Sequence, residues 1–393
     1  MTQRASSRPT VVIIVANIKQ FRVVFYEQLA TRLSAAGIRL LVAYSDSHDT
    51  EALKGDSVDL KFPLGLKVPG HYFIAGRLLW QRVPLAEMRR AELIITEQSN
   101  GYLLNYPLLL ASRLGLKRVA YWGHGYNHQA PPGALGERFR RRFIGLADWW
   151  FSYTQRTADY LRSNGFSADR ITVIDNSTDT TAFAAQVAAV SPTELQALRH
   201  QLAVPQSARI GLYCGSLYGH KRIPFLLDGC ARIQARIPNF VLAVAGAGEN
   251  EALLREAVPR LPWLRYLGPQ FGRTKAALFR SAEVFLNPGL VGLAILDSFA
   301  AGLPFVTSDL PIHSPEIAYL EPGVNGLVLP AVVDRWADAV VTLLEDPDRL
   351  AAMGRAAATT GRKYTIEKMV ENVAQGIERS LGLRPCAQSA GVA

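Results

Sequence analysis

The sequence predicts an α/β protein of two domains, each built on a parallel sheet, and three observations carry that reading. Residues 11–16 (VVIIVA) form an unbroken, largely β-branched run, the pattern of a strand covered on both faces. Short apolar runs then alternate with helix-period segments, and such alternation builds parallel sheets. The clearest unit lies at 282–307. There an apolar run is broken by Asn287-Pro288-Gly289, and a helix from Leu293 carries Ile295, Leu296, Phe299 and Ala300 at helical spacing. That helix stops at Gly302-Leu303-Pro304 before a strand at Phe305-Val306-Thr307. Ligands of parallel sheets bind beyond the carboxyl ends of the strands, where a glycine loop can turn helix-start amides toward an anion. An ordinary βαβ turn shares this pattern, so the unit alone leaves function open.

In chain order, the strand at 11–16 is followed by a loop at 17–22 and a helix at 23–35 with Phe25, Leu29 and Leu33 on one face. Gly37 stops it before a strand at 38–43. This opening has no GxGxxG, which argues against a dinucleotide enzyme. Residues 46–70 read as loop with one short strand, and 72–90 as a helix ending in Arg89-Arg90. Strands are expected at 93–96 and 118–122 with a helix at 102–114 between them. Their terminal loops, 97–100 and 123–127, share one sheet edge with 17–22. Asn17, Arg22, Glu97, Asn100, His124 and Asn127 are therefore candidate ligand contacts, His124 because flanking glycines allow close approach; a surface turn histidine is the alternative.

Residues 134–151 interleave Arg138, Arg140, Arg141 and Arg142 with Phe139, Phe143, Ile144 and Leu146. On a helix this makes a basic, aromatic surface suited to an anionic headgroup layer; a core helix with a solvated arginine face fits equally. No recognition motif supports nucleic acid. A strand at 149–153, a helix at 155–164 and a strand at 171–174 close the first half. Residues 184–208, rich in Ala, Gln, Ser and Pro with a helix at 193–202, read as a linker. The second half carries strands at 210–213, 240–245 and 263–267 and helices at 223–235 and 274–282. Helices at 334–344, 347–359 and 366–381 follow the central unit, then a small disordered tail.

Composition narrows the functional classes. The net charge is +10, and residues 1–190 hold 23 Lys and Arg against 15 Asp and Glu, so +8 of it lies in the first half. An anionic partner fits that asymmetry, as does plain solubility. The three cysteines, Cys214, Cys230 and Cys386, have no metal spacing and suit a reducing compartment. The run at 11–16 is too short for a signal-peptide core, and no stretch approaches the roughly 20 apolar residues that span a bilayer. A cytoplasmic protein, peripheral at the inner face of the membrane, is the expectation.

Four segments together resemble the retaining nucleotide-sugar glycosyltransferases of the GT-B fold, specifically glycosyltransferase family 4. They are Gly215-Ser216-Leu217 with Lys221; Val244-Ala245-Gly246-Ala247-Gly248; Gly292-Leu293, Asp297 and Ala301-Gly302-Leu303-Pro304 with Thr307; and Pro315-Glu316-Ile317 with Gly323-Val324-Asn325-Gly326 and Leu329-Pro330. The resemblance implies two Rossmann-like, doubly wound domains facing a central cleft. It places an acceptor-side domain at 1–184, a linker at 185–207, a nucleotide-sugar domain at 208–365, a C-terminal helix at 366–381 and a disordered tail at 382–393.

The resemblance also implies roles. The donor, a UDP- or GDP-sugar, would meet Gly215, Ser216, Lys221, Arg222, Gly246, Gly289, Leu290, Val291, Gly292, Leu293 and Asp297, with Tyr266 and Leu267 at the base. Lys221 and His124 would be catalytic, Lys221 and the loop amides stabilising the departing diphosphate. The family is metal-independent, so no cofactor or metal is expected. Asp346-Pro347-Asp348 reads as a helix start. A saccharide acceptor, lipid-linked as in polysaccharide or lipopolysaccharide assembly, would sit on the N-terminal side. The chain departs from the family pattern where its first glutamate is Gly289, its second Asp297 and its loop arginine Ser216. These changes keep two alternatives open, an inactive homologue that binds nucleotide or saccharide and a nucleotide-sugar epimerase.

Overall fold

The computed structural model describes residues 8–48, 57–126 and 141–383. They form two compact units, one of Met1–Asn176 with Ile366–Ala393, the other of Ser177–Thr365. The 382–393 tail, Cys386, Asn127, Arg138 and Arg140 lie wholly or mostly outside the described residues.

In the first unit, β1 (Thr10–Ile14), β2 (Arg39–Tyr44), β3 (Gly65–Lys67), β6 (Leu93–Glu97), β7 (Arg118–Gly123), β8 (Trp149–Ser152) and β9 (Ile171–Val173) make one parallel sheet. Its order is β3-β2-β1-β6-β7-β8-β9, so the winding reverses between β1 and β6. Alternation along β1 divides the core. Val11 and Ile13 pack with α1 (Val23–Ala35) and the C-terminal helix, whereas Val12 and Ile14 face Leu108, Trp150 and Leu161. The C-terminal helix buries Ile366, Met369, Val370, Val373 and Ile377 in this unit, so it is part of the first core. Full burial of such side chains stabilises by about 1.5–3 kcal/mol each.

The helix expected at 72–90 is instead a hairpin, β4 (Gly70–Phe73) with β5 (Leu78–Gln81), followed by α2 (Leu85–Arg90). Ile74, Ala75 and Gly76 take positive φ of 50°, 51° and 81°, a turn that reverses the chain. Beyond it, α3 (Asn105–Arg113) follows β6 and α4 (Gln155–Ser163) follows β8.

The second unit opens at Ser177, ahead of the expected linker, and takes that stretch into its core. Residues 185–207 carry the end of α5 (Thr180–Ala188) and α6 (Pro192–Gln201), and Phe183, Val187, Leu198 and Leu202 are buried in this unit's core. A Ser191–Glu194 capping box starts α6. The boundary thus falls at 176/177, because an alanine-rich stretch with one apolar face packs rather than hangs free.

The second sheet holds β10 (Arg209–Cys214), β11 (Phe240–Ala245), β12 (Leu264–Tyr266), β13 (Val284–Leu286), β14 (Phe305–Ser308) and β15 (Gly326–Leu329), in the order β12-β11-β10-β13-β14-β15. This is the doubly wound Rossmann order, with its switch point between β10 and β13. Between the strands run α7 (Ile223–Arg236), α8 (Glu251–Ala257), α9 (Gly272–Ser281) and α10 (Ala294–Ala300); α11 (Val333–Glu345) and α12 (Pro347–Lys363) complete the unit before α13 (Ile366–Leu381). Residues of α7 pack on one face of the sheet and those of α10 on the other, so the chains leaving β10 and β13 diverge and leave a crevice.

Candidate functional site

Two loops line that crevice in the second unit. The loop after β10 is joined to the one after β11 by backbone hydrogen bonds: Gly215 N–H to Ala245 O (2.9 Å), Leu217 N–H to Ala247 O (2.9 Å) and Asn250 N–H to Leu217 O (2.9 Å). A Cβ at Gly246 would collide with the Gly215 carbonyl, and one at Gly248 would lie 2.9 Å from Leu217 N. Glycine is therefore required where these backbones touch. Tyr213 and Tyr266 donate their hydroxyls to Ser216 O (2.6 Å) and Gly246 O (2.9 Å). Ser216 is exposed; Tyr266 and Leu267 are half-buried at the end of β12.

The loop after β13 lies directly on the first. Leu290 N–H donates to His220 O at 2.8 Å, and a Cβ at Gly289 would collide with the backbone of His220 and Lys221. The missing glutamate thus has a local cause: no side chain fits at 289 while the two loops touch.

Lys221, 7% exposed, donates Nζ–H to Leu290 O at 2.6 Å, a carbonyl that also accepts from Asn287 Nδ2 at 3.2 Å. Burial pulls its pKa down to about 8, opposed by the Glu316 carboxylate. Two of its three ammonium hydrogens remain for other acceptors. Arg222 does not join it: in a left-handed conformation (φ 56°), its guanidinium lies 4.3 Å over the Phe225 ring.

Of the amides expected to face a diphosphate, Leu290 is used by His220 and Val291 donates to His313 Nδ1 at 3.0 Å. Because His313 Nδ1 accepts, its Nε2 carries the hydrogen and donates to Ser308 O at 2.8 Å. His313, buried beyond β14, therefore holds the loop, a residue the sequence reading passed over although it lies in a strand-end loop. Gly292 and Leu293 remain for a ligand. Asp297 is not a free carboxylate: its Oδ2 accepts from Lys275 Nζ at 2.8 Å.

In the first unit, the loops after β1, β6 and β7 meet at the reversal between β1 and β6. Glu97 ends β6, and its half-buried carboxylate accepts from Ala16 N–H at 3.4 Å. Burial raises its pKa, against the Ala16 amide, the Tyr102 hydroxyl, Arg22 and Lys19. Arg22 donates to Asn176 Oδ1 and lies 5.1 Å from the Phe21 ring. The His124 ring is exposed, edge-on to Tyr153 at 4.4 Å. Asn17 and Asn100 are half-buried in their loops, and Asn100 O accepts from Tyr106 at 2.8 Å. Arg141 and Arg142 are exposed. Among the described residues no group of three or more His, Cys, Asp and Glu is placed to hold a metal ion, and no helix is long and apolar enough to cross a membrane.

Comparison with known proteins places this architecture. Residues 23–182 match the family model described as "Glycosyltransferase Family 4", and 208–346 that described as "Glycosyl transferases group 1". A phosphatidyl-myo-inositol mannosyltransferase of Mycolicibacterium smegmatis is 31% identical over 154 residues, 38% of this chain and 39% of that protein. A D-inositol 3-phosphate glycosyltransferase of Corynebacterium aurimucosum is 25% identical over 225 residues, 54% of this chain and 52% of that protein. The chain thus spans about two fifths to one half of the length of these curated relatives. Anabaena Alr3699/HepE, crystallised with UDP, superposes with a TM-score of 0.67 at 16% identity, covering 94% of this chain and all of that one, a likeness of fold. With family models matching in both sheet-bearing units, the chain is built of a Glycosyltransferase Family 4 domain at 23–182 and a Glycosyl transferases group 1 domain at 208–346.

Proposed function

We propose that this protein transfers a hexose from a UDP- or GDP-sugar to a saccharide acceptor, with retention and without a metal. The observation that carries the reading is Lys221. It is a buried ammonium at the switch point of the second sheet, held against the carbonyl of the loop after β13 with two hydrogens to spare. An ammonium costs several kcal/mol to bury unless an anion repays it, and a departing diphosphate is such an anion. The crystallised neighbour's UDP supports a nucleotide donor.

In this reading the sugar's C1–O bond to the diphosphate breaks as the acceptor oxygen attacks from the same face. The leaving phosphate oxygen takes the acceptor proton, so no protein nucleophile takes part. Lys221 and the Gly292 and Leu293 amides neutralise the growing charge. Asp297 faces the ribose, Tyr266 and Leu267 the base, and Gly215 and Gly246 let the backbone approach the phosphates. Glu97, Arg22, Asn17, Asn100 and His124 form the acceptor side. The curated relatives named for inositol phospholipid and inositol phosphate support a phosphorylated or lipid-linked acceptor. The basic stretch with Arg141 and Arg142 exposed then rests on an anionic leaflet.

A panel of sugar nucleotides, assayed for transfer and hydrolysis with the full chain, tests the reading. Lys221→Ala is expected to lower kcat/KM for the donor by about 10²–10³-fold. Undiminished turnover removes Lys221 from the chemistry. Nucleotide binding with no transfer across donors and acceptors instead makes the chain a binding homologue.

A further inference from the structure

Lys275, the partner of Asp297, stands apart from the residues the sequence singled out. Lys275 lies in the first turn of α9 and Asp297 in that of α10, helices that begin at the carboxyl edge of the sheet. Their Nζ–Oδ2 distance is 2.8 Å, and the side chains are 24% and 22% exposed, so the pair is open to a ligand without being in bulk solvent. The ammonium is fixed further by the rings of Phe183 at 4.7 Å and Phe279 at 5.7 Å. Burial works against its charge, and the Asp297 carboxylate together with Cys214 outweighs burial, raising its pKa. Both charges act on the Cys214 thiol at the end of β10, which burial pushes up to about 12. The Gly292-Leu293 loop leads directly into α10, so Asp297 and its partner lie at the carboxyl edge of the sheet, where the crevice between β10 and β13 opens.

A lone carboxylate accepts hydrogen bonds and donates none. A vicinal diol both donates and accepts, so a carboxylate answers half of it. Here Oδ1 of Asp297 and two hydrogens of Lys275 remain after the pair forms, an acceptor and two donors side by side. The pair is also neutral overall, so it repels an incoming diphosphate less than a free carboxylate. That matters in a loop where Ser216 supplies no positive charge.

We propose that Lys275 is a specificity-determining residue of the donor site, acting with Asp297 as a fixed donor-and-acceptor pair that reads the ribose diol of a nucleoside diphosphate. The inference rests on the nucleotide-donor reading above. Its test is calorimetric titration of the full chain with UDP and GDP and with their 2′-deoxy counterparts, at fixed ionic strength. The wild type is expected to bind the ribonucleotide at least about tenfold more tightly than the deoxy form, the value of one good hydrogen bond. Lys275→Met, which keeps an unbranched apolar stem and removes the ammonium, is expected to bring that ratio to within about threefold of unity, and Lys275→Arg to restore most of it. Lys275→Gln is measured alongside, so that a folding defect in one variant does not decide the result. A ratio unchanged in the folded Met or Gln variant overturns the role of Lys275 and leaves the donor reading standing. Failure of the wild type to bind any of the four nucleotides overturns the donor reading and this inference with it.

Discussion

Lys221 carries more of the proposed chemistry than any other single side chain, and its burial has a consequence for pH. With a free-protein pKa of about 8, it is largely ammonium below that pH and amine above it. A diphosphate binds the ammonium, so kcat/KM for the donor is expected to be level below about pH 8 and to fall about tenfold per unit above it. Bound diphosphate favours the charged form, so the same limb in kcat lies at higher pH. Lys221→Ala should lose this limb, and a profile unaltered by that change assigns the titration elsewhere. Gly289 gives a second test at this scale. Restoring a carboxylate with Gly289→Glu forces a Cβ into the backbone of His220 and Lys221. The expected result is a loss of about 1–3 kcal/mol in denaturant unfolding together with weaker donor binding. A gain in activity without loss of stability would show that the loops part easily.

At the scale of elements, α1 and α13 show how the C-terminal segment is held. Arg32 on α1 donates to Glu371 at 2.7 Å and to Glu378 at 2.9 Å, and the Glu378 side chain is only 2% exposed. Removing the arginine leaves a buried carboxylate uncompensated, so Arg32→Leu is expected to cost about 3 kcal/mol, read from chemical denaturation. The hydrogen bond from Arg32 holds the Glu371 carboxyl below its ordinary pKa. That stabilisation is complete above the unfolded-state value of roughly 4.3 and is lost as pH falls through the lower folded value. Arg32→Leu should therefore flatten the acid limb of the stability curve. Where α13 meets β8 and β9 there is no room at Gly376, whose Cβ would lie 2.5 Å from Thr172 Oγ1 and 2.6 Å from the Phe151 ring.

For the whole molecule, the charge asymmetry is the feature with a measurable outcome. The chain should sediment with vesicles containing anionic lipid and not with neutral ones, and binding should fall with salt. Replacing Arg138, Arg140, Arg141 and Arg142 by glutamine is expected to abolish most of that binding. Retention in the quadruple variant moves the contact to another surface. The chain passes between its two units twice, after Asn176 and before Ile366, so the last helix completes the first unit. Removal of 366–381 should therefore destabilise the first unit.

The sequence by itself determined the doubly wound class, the family and most helices, α13 among them at its observed limits, because β-branched runs and helical periodicity are local signals. The glycines of the proposed donor loops were legible for the same reason: each occupies a turn between a readable strand and a readable helix. The hairpin at 70–81 was not, since the apolar spacing of HYFIAGRLLWQ fits either period and only Gly76 marked the turn. Nor were the partners of the candidate site. That Lys275 would claim Asp297, that His313 would hold Val291, and that Lys221 would reach the Leu290 carbonyl all depend on segments up to 69 residues apart in the chain. Such contacts arise only when the sheet brings its strand ends to one edge, and nothing in the local sequence encodes which side chains then meet.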